Sequence, residues 1–263
     1  MRIICPVKRV PDTAAEKKID SSDLTVDRDA SDPVLNANDE WSIEEAMRIK
    51  ERTDGTEVIA LNMGPDSAQQ TIRKALSYGL DGAIQVTDGA LAGSDAVATA
   101  RTLAKALEGE EFDLVLMGNQ SSDARTTLVP AMLAEFLDLP AMTFVKYLEV
   151  NDGELVAHRE TAGGHVEVRT TGPAVVSVVE AINEPRYPSF KGIMAAKKKP
   201  LEQKDLAGIG LDASEVGREG SRTHVLEITP KPPKEAGRKV EDDGSGQAGA
   251  QAIADWLAEQ KLI

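Results

Sequence analysis

The chain is short of the residues that most catalytic chemistries need. Its 263 residues include one cysteine and three histidines. The lone Cys5 cannot form an internal disulfide; it lies in the first apolar run and is expected to be an inert buried thiol in a reducing compartment. His158, His165 and His224 show no zinc-site spacing. Aromatic residues make up 3%, too little for a platform that stacks nucleic-acid bases. No run of 18 apolar residues occurs, so no membrane-spanning helix is expected. The early charges of Met1-Arg2-Ile3-Ile4-Cys5-Pro6-Val7-Lys8 do not suit a secretory signal, and a cytoplasmic chain is expected. No Gly-rich dinucleotide fingerprint follows a predicted strand, and neither a Walker loop nor a Gly-x-Ser-x-Gly elbow occurs. Glu44-Glu45 and Glu110-Glu111 read as solvated charge rather than acid–base pairs. These absences favour a binding or electron-carrying role over hydrolysis.

Acidic residues outnumber basic ones, 44 against 30, for a formal charge of -14. With a pI near 4.8, neither nucleic acid nor an anionic membrane surface suits as the main partner. A hydrophobic content of 41% fits a globular protein, and the length suits one large domain or a domain plus an arm.

Strand and helix patterns alternate along the first 137 residues. Ile3 to Val7, Glu57 to Met63, Ala83 to Thr87 and Phe112 to Met117 read as strands. Helices are expected from about Glu40 to Arg52, beyond Gly64-Pro65, from Ser94 (as cap) to Leu107, and up to Leu137. Residues 14 to 33 are patternless, either a small hairpin or a partner-contacting loop. Four such repeats predict an α/β fold: a parallel sheet with helices on both faces. Ligands in such sheets bind at the carboxyl ends of the strands. There, Gly118-Asn119-Gln120-Ser121-Ser122-Asp123-Ala124-Arg125-Thr126-Thr127 combines small hydroxyl residues, an Asp, an Arg and the amides of a helix start. Two readings remain open, a nucleotide phosphate site or plain helix capping.

Leu155 to Glu160 and Val166 to Arg169 read as a hairpin around Ala162-Gly163-Gly164, and Ala174 to Val179 as a central strand buried on both faces. The loop Asn183 to Lys199 then places Tyr187, Phe190, Ile193 and Met194 among polar and basic neighbours with no helix or strand period. It is either a packed Ω-loop or an anchor offered to another protein. Beyond Pro200 the composition changes: a late strand is expected at Val225 to Ile228, a stiff linker at Pro230 to Lys234, and a closing helix with Ile253, Trp256 and Leu257 on one face. The expected division is a nucleotide-binding domain over 1–200, with hairpin 155–169 and loop 183–199, and an arm over 201–263.

In order along nearly the whole chain stand Val7-Lys8-Arg9-Val10-Pro11-Asp12, Asn36 with Glu44-Glu45-Ala46, Met63-Gly64-Pro65, Asp113 to Gly118, Arg159-Glu160 with Gly163-Gly164, and Asn183-Glu184-Pro185-Arg186-Tyr187. With this set the chain resembles the beta subunits of electron transfer flavoproteins. The resemblance implies a Rossmann-like fold of the adenine nucleotide alpha hydrolase type and a non-catalytic electron-carrier subunit. It also implies a structural AMP in this subunit, with FAD held mainly by the alpha subunit. By position, Pro6, Val7, Lys8, Asn36, Met63, Gly64 and Asn119 would border the nucleotide, and Asp123, Arg125, Thr126, Thr127, Leu128 and Val129 would wrap its phosphate. Many family members carry side-chain amides where this chain has Thr127-Leu128-Val129-Pro130, so the phosphate contacts would rest on backbone amides, Thr126, Thr127 and Arg125. The resemblance makes 183–199 a recognition loop, with Arg186, Tyr187, Phe190, Ile193 and Met194 facing flavin dehydrogenases such as acyl-CoA dehydrogenase. Glu160 would steady the partner's mobile flavin domain, the closing helix would dock on the alpha subunit, and a membrane-bound quinone oxidoreductase would take the electrons onward. Val10 to Thr13 leans toward the bifurcating branch, which holds a second FAD in place of AMP, whereas Asn183 to Tyr187 leans toward the ordinary carriers, the favoured reading. A stand-alone nucleotide-binding regulator and, last, an adenylating enzyme complete the alternatives.

Overall fold

The computed structural model describes residues 1–263 apart from 152, 230, 231, 233–236, 238 and 243. It divides into two compact units, Met1–Leu226 and Glu227–Ile263.

In the first unit, alternation along buried strands builds one sheet with two apolar faces. Its elements run β1 (Arg2–Pro6), β2 (Arg9–Pro11), β3 (Ile19–Asp20), β4 (Thr25–Val26), β5 (Pro33–Leu35), α1 (Ala37–Arg52), β6 (Glu57–Met63), α2 (Gln69–Ser77), β7 (Gly82–Val86) and α3 (Ala96–Leu107). They continue through β8 (Leu114–Gly118), α4 (Val129–Leu137), β9 (Ala141–Asn151), β10 (Glu154–Thr161), β11 (Gly164–Thr171), β12 (Ala174–Val178), α5 (Phe190–Ala196), β13 (Leu201–Lys204) and the single turn α6 (Gly217–Gly220). The main sheet has the order β11-β10-β9-β12-β8-β1-β6-β7-β13, parallel throughout except where β10 pairs with β9 and β11. On one face Ile3, Cys5, Val58, Ala60, Leu114 and Leu116 pack with Ile43 and Met47 of α1 and Ile72 and Leu76 of α2. On the other, Ile4, Ile59, Leu61, Val115 and Met117 meet Leu103 and Leu107 of α3 and Leu133 of α4. Cys5 is fully buried, and burial pushes its thiol pKa up, as expected of an inert group.

The hairpin, the buried central strand β12 and the four early strands form as expected, with termini shifted by one or two residues. Within 14–33 the short β3–β4 hairpin forms, and β2 pairs with β5. Four other features differ from the sequence reading. First, β9 was not anticipated: its buried residues Met142, Val145 and Leu148 recur every third position, because the strand is irregular twice, at Phe144 (φ 58°), where the register against β12 shifts, and at Lys146, which the pairing with β10 skips. Second, Val225 to Ile228 forms no strand, and Leu226 is 91% exposed. The sheet ends instead on β13, whose sequence Leu-Glu-Gln-Lys is polar because it is an edge. Residues 201–226 therefore belong to the first unit, and the boundary lies near 226 rather than 200. Third, the cap of α3 is Asp95, which accepts the Ala98 amide at 2.9 Å, while Ser94 accepts the Gly217 amide at 2.8 Å. Fourth, loop 183–199 contains a true helical turn, α5, capped by Ser189.

In the second unit α7 (Gln247–Glu259) forms as expected. The Gly244-x-Gly246-x-x-Gly249 spacing at its start follows no strand, and Asp242 fills the nest, accepting the amides of all three glycines at 2.8 Å. Most of the expected linker 230–234 lies outside the described residues. Among the described residues no helix is long and apolar enough to cross a membrane.

Candidate functional site

From β1 the sheet grows one way through β6 and β7 and the other way through β8 and β12. The strand order reverses between β1 and β8, and the crevice at the carboxyl ends of such a pair is where α/β sheets bind ligands. Three segments meet there. Pro6, Val7 and Lys8 leave β1; Asn36 opens α1; Gly118 and Asn119 leave β8. Asn36 ties them together: its Nδ2 donates to the Gln120 carbonyl at 3.0 Å and to Asp39 Oδ1 at 2.8 Å, and its Oδ1 accepts the Ser122 amide at 3.1 Å. Asp39 Oδ2 accepts the Lys8 amide at 2.7 Å. A glycine is required at 118, since a Cβ there would lie 2.6 Å from Asp39 Oδ1 and 2.7 Å from the Asn38 carbonyl carbon.

Charge gathers on Asp123, whose carboxylate is fully buried. Lys8 Nζ donates to its Oδ1 at 2.9 Å and Arg28 Nε to its Oδ2 at 2.8 Å. Burial by itself would raise this carboxyl, but the Lys8 ammonium and then Arg28 outweigh it and hold the pKa at about 2. Asp39 behaves oppositely: burial pushes its carboxyl up to about 7, although Asn36 and the Lys8 amide both donate to it.

The crevice also holds unused donors and acceptors. Asn119 is 8% exposed, and its Oδ1 has no partner; the buried Ser122 hydroxyl and Asn62 Oδ1 are likewise unmatched. Past Asp123, Arg125 and Thr127 adopt left-handed backbone at φ 51° and 57°. The chain then enters α4, and Leu128 supplies no capping side chain to its first-turn amides. The crevice thus joins the Lys8 and Arg28 cations, uncapped helix amides, two unmatched carboxamide oxygens and one unmatched hydroxyl. Met63 and Gly64 end β6 one strand further along the same edge.

The second assembly is loop 183–199. Arg186 donates to Glu44 through Nε at 2.7 Å and Nη2 at 3.0 Å, and to Glu51 through Nη2 at 3.2 Å and also through Nη1. Asn183 Nδ2 reaches the Trp41 carbonyl at 3.0 Å and Glu45 at 3.1 Å. Glu44 and Glu45 are thus buried partners of the loop, not the solvated charge expected of them. Burial opposes ionisation of Glu44, and the Arg186 hydrogen bonds overcome it, leaving its pKa lowered. Arg73 Nη1 donates to the Ala196 and Lys199 carbonyls at 2.8 and 2.7 Å. On this fixed frame Tyr187 is 96% exposed and Phe190 80%, with Ile193 and Met194 about half exposed beside them. The packed Ω-loop reading fails: the large side chains face outward.

The model of the electron transfer flavoprotein domain matches residues 23–208 of this chain. The chain belongs to the electron transfer flavoprotein family. It is 45% identical over 268 aligned residues to the electron transfer flavoprotein subunit beta of Mycobacterium tuberculosis (strain ATCC 25618 / H37Rv), covering 99% of each chain. It is 34% identical to the subunit beta of Bacillus subtilis (strain 168), covering 100% of both. At 35% identity, again over 100% of both, it matches the caffeyl-CoA reductase-Etf complex subunit CarD of Acetobacterium woodii. As an electron transfer flavoprotein of beta type, the chain implies an alpha-subunit partner and a role in electron transfer. Pro6, Val7, Lys8, Asn36, Asn119 and Asp123, expected at a nucleotide, lie together at one sheet edge, joined there by Arg28 and Asp39, which the sequence did not single out. Asp39 was legible as a helix-start acid only; Arg28 carried no signal, being one basic residue in a patternless stretch. Arg186, expected to face a partner, is instead an internal strut of loop 183–199, with its guanidinium turned onto α1. Glu160 stands apart on β10, 3.7 Å from Lys146.

Proposed function

We propose that the chain is the small subunit of a heterodimeric electron transfer flavoprotein, passing electrons from flavin dehydrogenases toward a membrane-bound quinone oxidoreductase of the respiratory chain. FAD, seated at the subunit interface and mainly in the alpha subunit, supplies the redox chemistry when bound. The present chain contributes an AMP-stabilised scaffold and a docking loop. The observation that carries this reading is the end-to-end match to curated beta subunits at up to 45% identity. The β1–β8 crevice supports it: Asn119 and Ser122 offer groups for the adenosine portion, and Lys8, Arg28, Thr126, Thr127 and the α4 amides offer donors for the phosphate. Tyr187, Phe190, Ile193 and Met194 support a docking role, since aromatic and Met side chains on a rigid frame concentrate interface energy. The test is stopped-flow reduction of the heterodimer by an acyl-CoA dehydrogenase and its substrate. The expected result is flavin bleaching that saturates with dehydrogenase concentration; no reduction by any flavin dehydrogenase would overturn the assignment.

A further inference from the structure

We propose that Arg28 is a phosphate-recognition residue of the nucleotide crevice, selecting a nucleoside 5′-monophosphate over the bare nucleoside. This rests on the nucleotide reading above. The segment between β2 and β5 leaves the sheet and returns to it, closed at its base where the Asp12 amide donates to the Asp32 carbonyl at 3.1 Å. Three side chains hold its outer part, among them Arg9, whose Nη2 donates to Asp29 Oδ1 at 2.5 Å. Arg218 Nη2 donates to the Asp23 carbonyl at 2.8 Å, and Arg28 reaches across to Asp123 at the β8 exit. The segment thus carries a guanidinium from just beyond the β3–β4 hairpin to the rim of the switch point.

Charge count gives the reason. The Asp123 carboxylate meets two cations, Lys8 on one oxygen and Arg28 on the other. Two positive charges against one negative leave one over, in a chain whose total is -14. Asp39 offsets it only in part: burial pushes its carboxyl up to about 7, and its oxygens take the Lys8 amide and Asn36 rather than either cationic head. Donor geometry agrees. A guanidinium has five N–H bonds in a rigid fork. Only the Nε of Arg28 is engaged, leaving both Nη groups without partners among the described residues, and the side chain is 39% exposed. Asp123 therefore orients the fork through one edge and leaves the rest for a second anion, the arrangement suited to bidentate phosphate binding. Independent of this cluster, the nine-tenths-buried Asn119 has an unmatched carbonyl oxygen at the end of the same strand.

The test is titration calorimetry of the nucleotide-stripped heterodimer with AMP and, separately, adenosine. In the wild type AMP is expected to bind more tightly than adenosine. Arg28→Ala is expected to weaken AMP about tenfold to a hundredfold, the range for a charged hydrogen bond, and to leave adenosine within about twofold. Arg28→Lys should recover part of the AMP affinity, and it serves as the readout if the alanine variant does not fold. Equal weakening of AMP and adenosine would make Arg28 a pin for the segment and overturn the proposal, as would unchanged AMP affinity. A wild type that binds neither ligand would overturn the nucleotide reading itself, an outcome distinct from a nucleotide-binding wild type indifferent to Arg28.

Discussion

Three carboxylates of the first unit respond to pH in opposite senses. Asp123 and Glu44 are held below their ordinary values by Lys8, Arg28 and Arg186. Their contribution to stability is present at neutral pH and is lost as pH falls below about 4, for Asp123 toward about 2. Asp39 is raised, so the folded state favours its protonated form; its contribution is complete below about pH 4 and fades as pH rises toward about 7. Thermal denaturation from pH 4 to 8 is therefore expected to show a declining component that Asp39→Asn removes; an identical pH profile in that variant would contradict the assignment. Gly118→Ala tests the same corner sterically. Its Cβ has no room against Asp39 and the Asn38 backbone, and the variant is expected to lose about 1–3 kcal/mol in urea unfolding.

At the scale of elements, loop 183–199 separates frame from face. Phe190→Ala removes an exposed side chain that packs on nothing in this chain's core, so heterodimer assembly and thermal midpoint should hold. Reduction by the dehydrogenase should weaken by about 2 kcal/mol or more in apparent affinity, as for an interface anchor; unchanged kinetics across dehydrogenase concentrations would refute the docking role. Gly192→Ala acts on the frame. A Cβ there would come 2.4 Å from the Ser77 carbonyl oxygen, so α5 must lift from α2, and both stability and dehydrogenase coupling should fall together. Which elements were legible follows from the same physics. Val-rich β12 and the alternating hairpin announced themselves because nothing interrupts their period. The left-handed Phe144 and the skipped Lys146 turned β9 into a three-residue rhythm, and β13 hid because an edge strand tolerates Glu, Gln and Lys. In the crevice, local motifs such as Gly118-Asn119 could be read, whereas the Arg28–Asp123 pair spans 95 positions and exists only once the chain has folded.

For the whole molecule, the strand order matters more than any one side chain. Reversal between β1 and β8 places three separate segments at one edge, and loop 183–199 enters from β12 on a frame anchored to α1. In the proposed function the first assembly receives a nucleotide and the second a protein. The account's central claim is that the chain stabilises and presents a flavin housed mainly in its partner. Nucleotide analysis of acid extracts, made from the chain purified alone and from its complex with the alpha subunit, tests that claim most directly. The account predicts about one FAD and one AMP per heterodimer and no retained flavin on the chain alone; a stoichiometric, redox-active flavin on the isolated chain would contradict it.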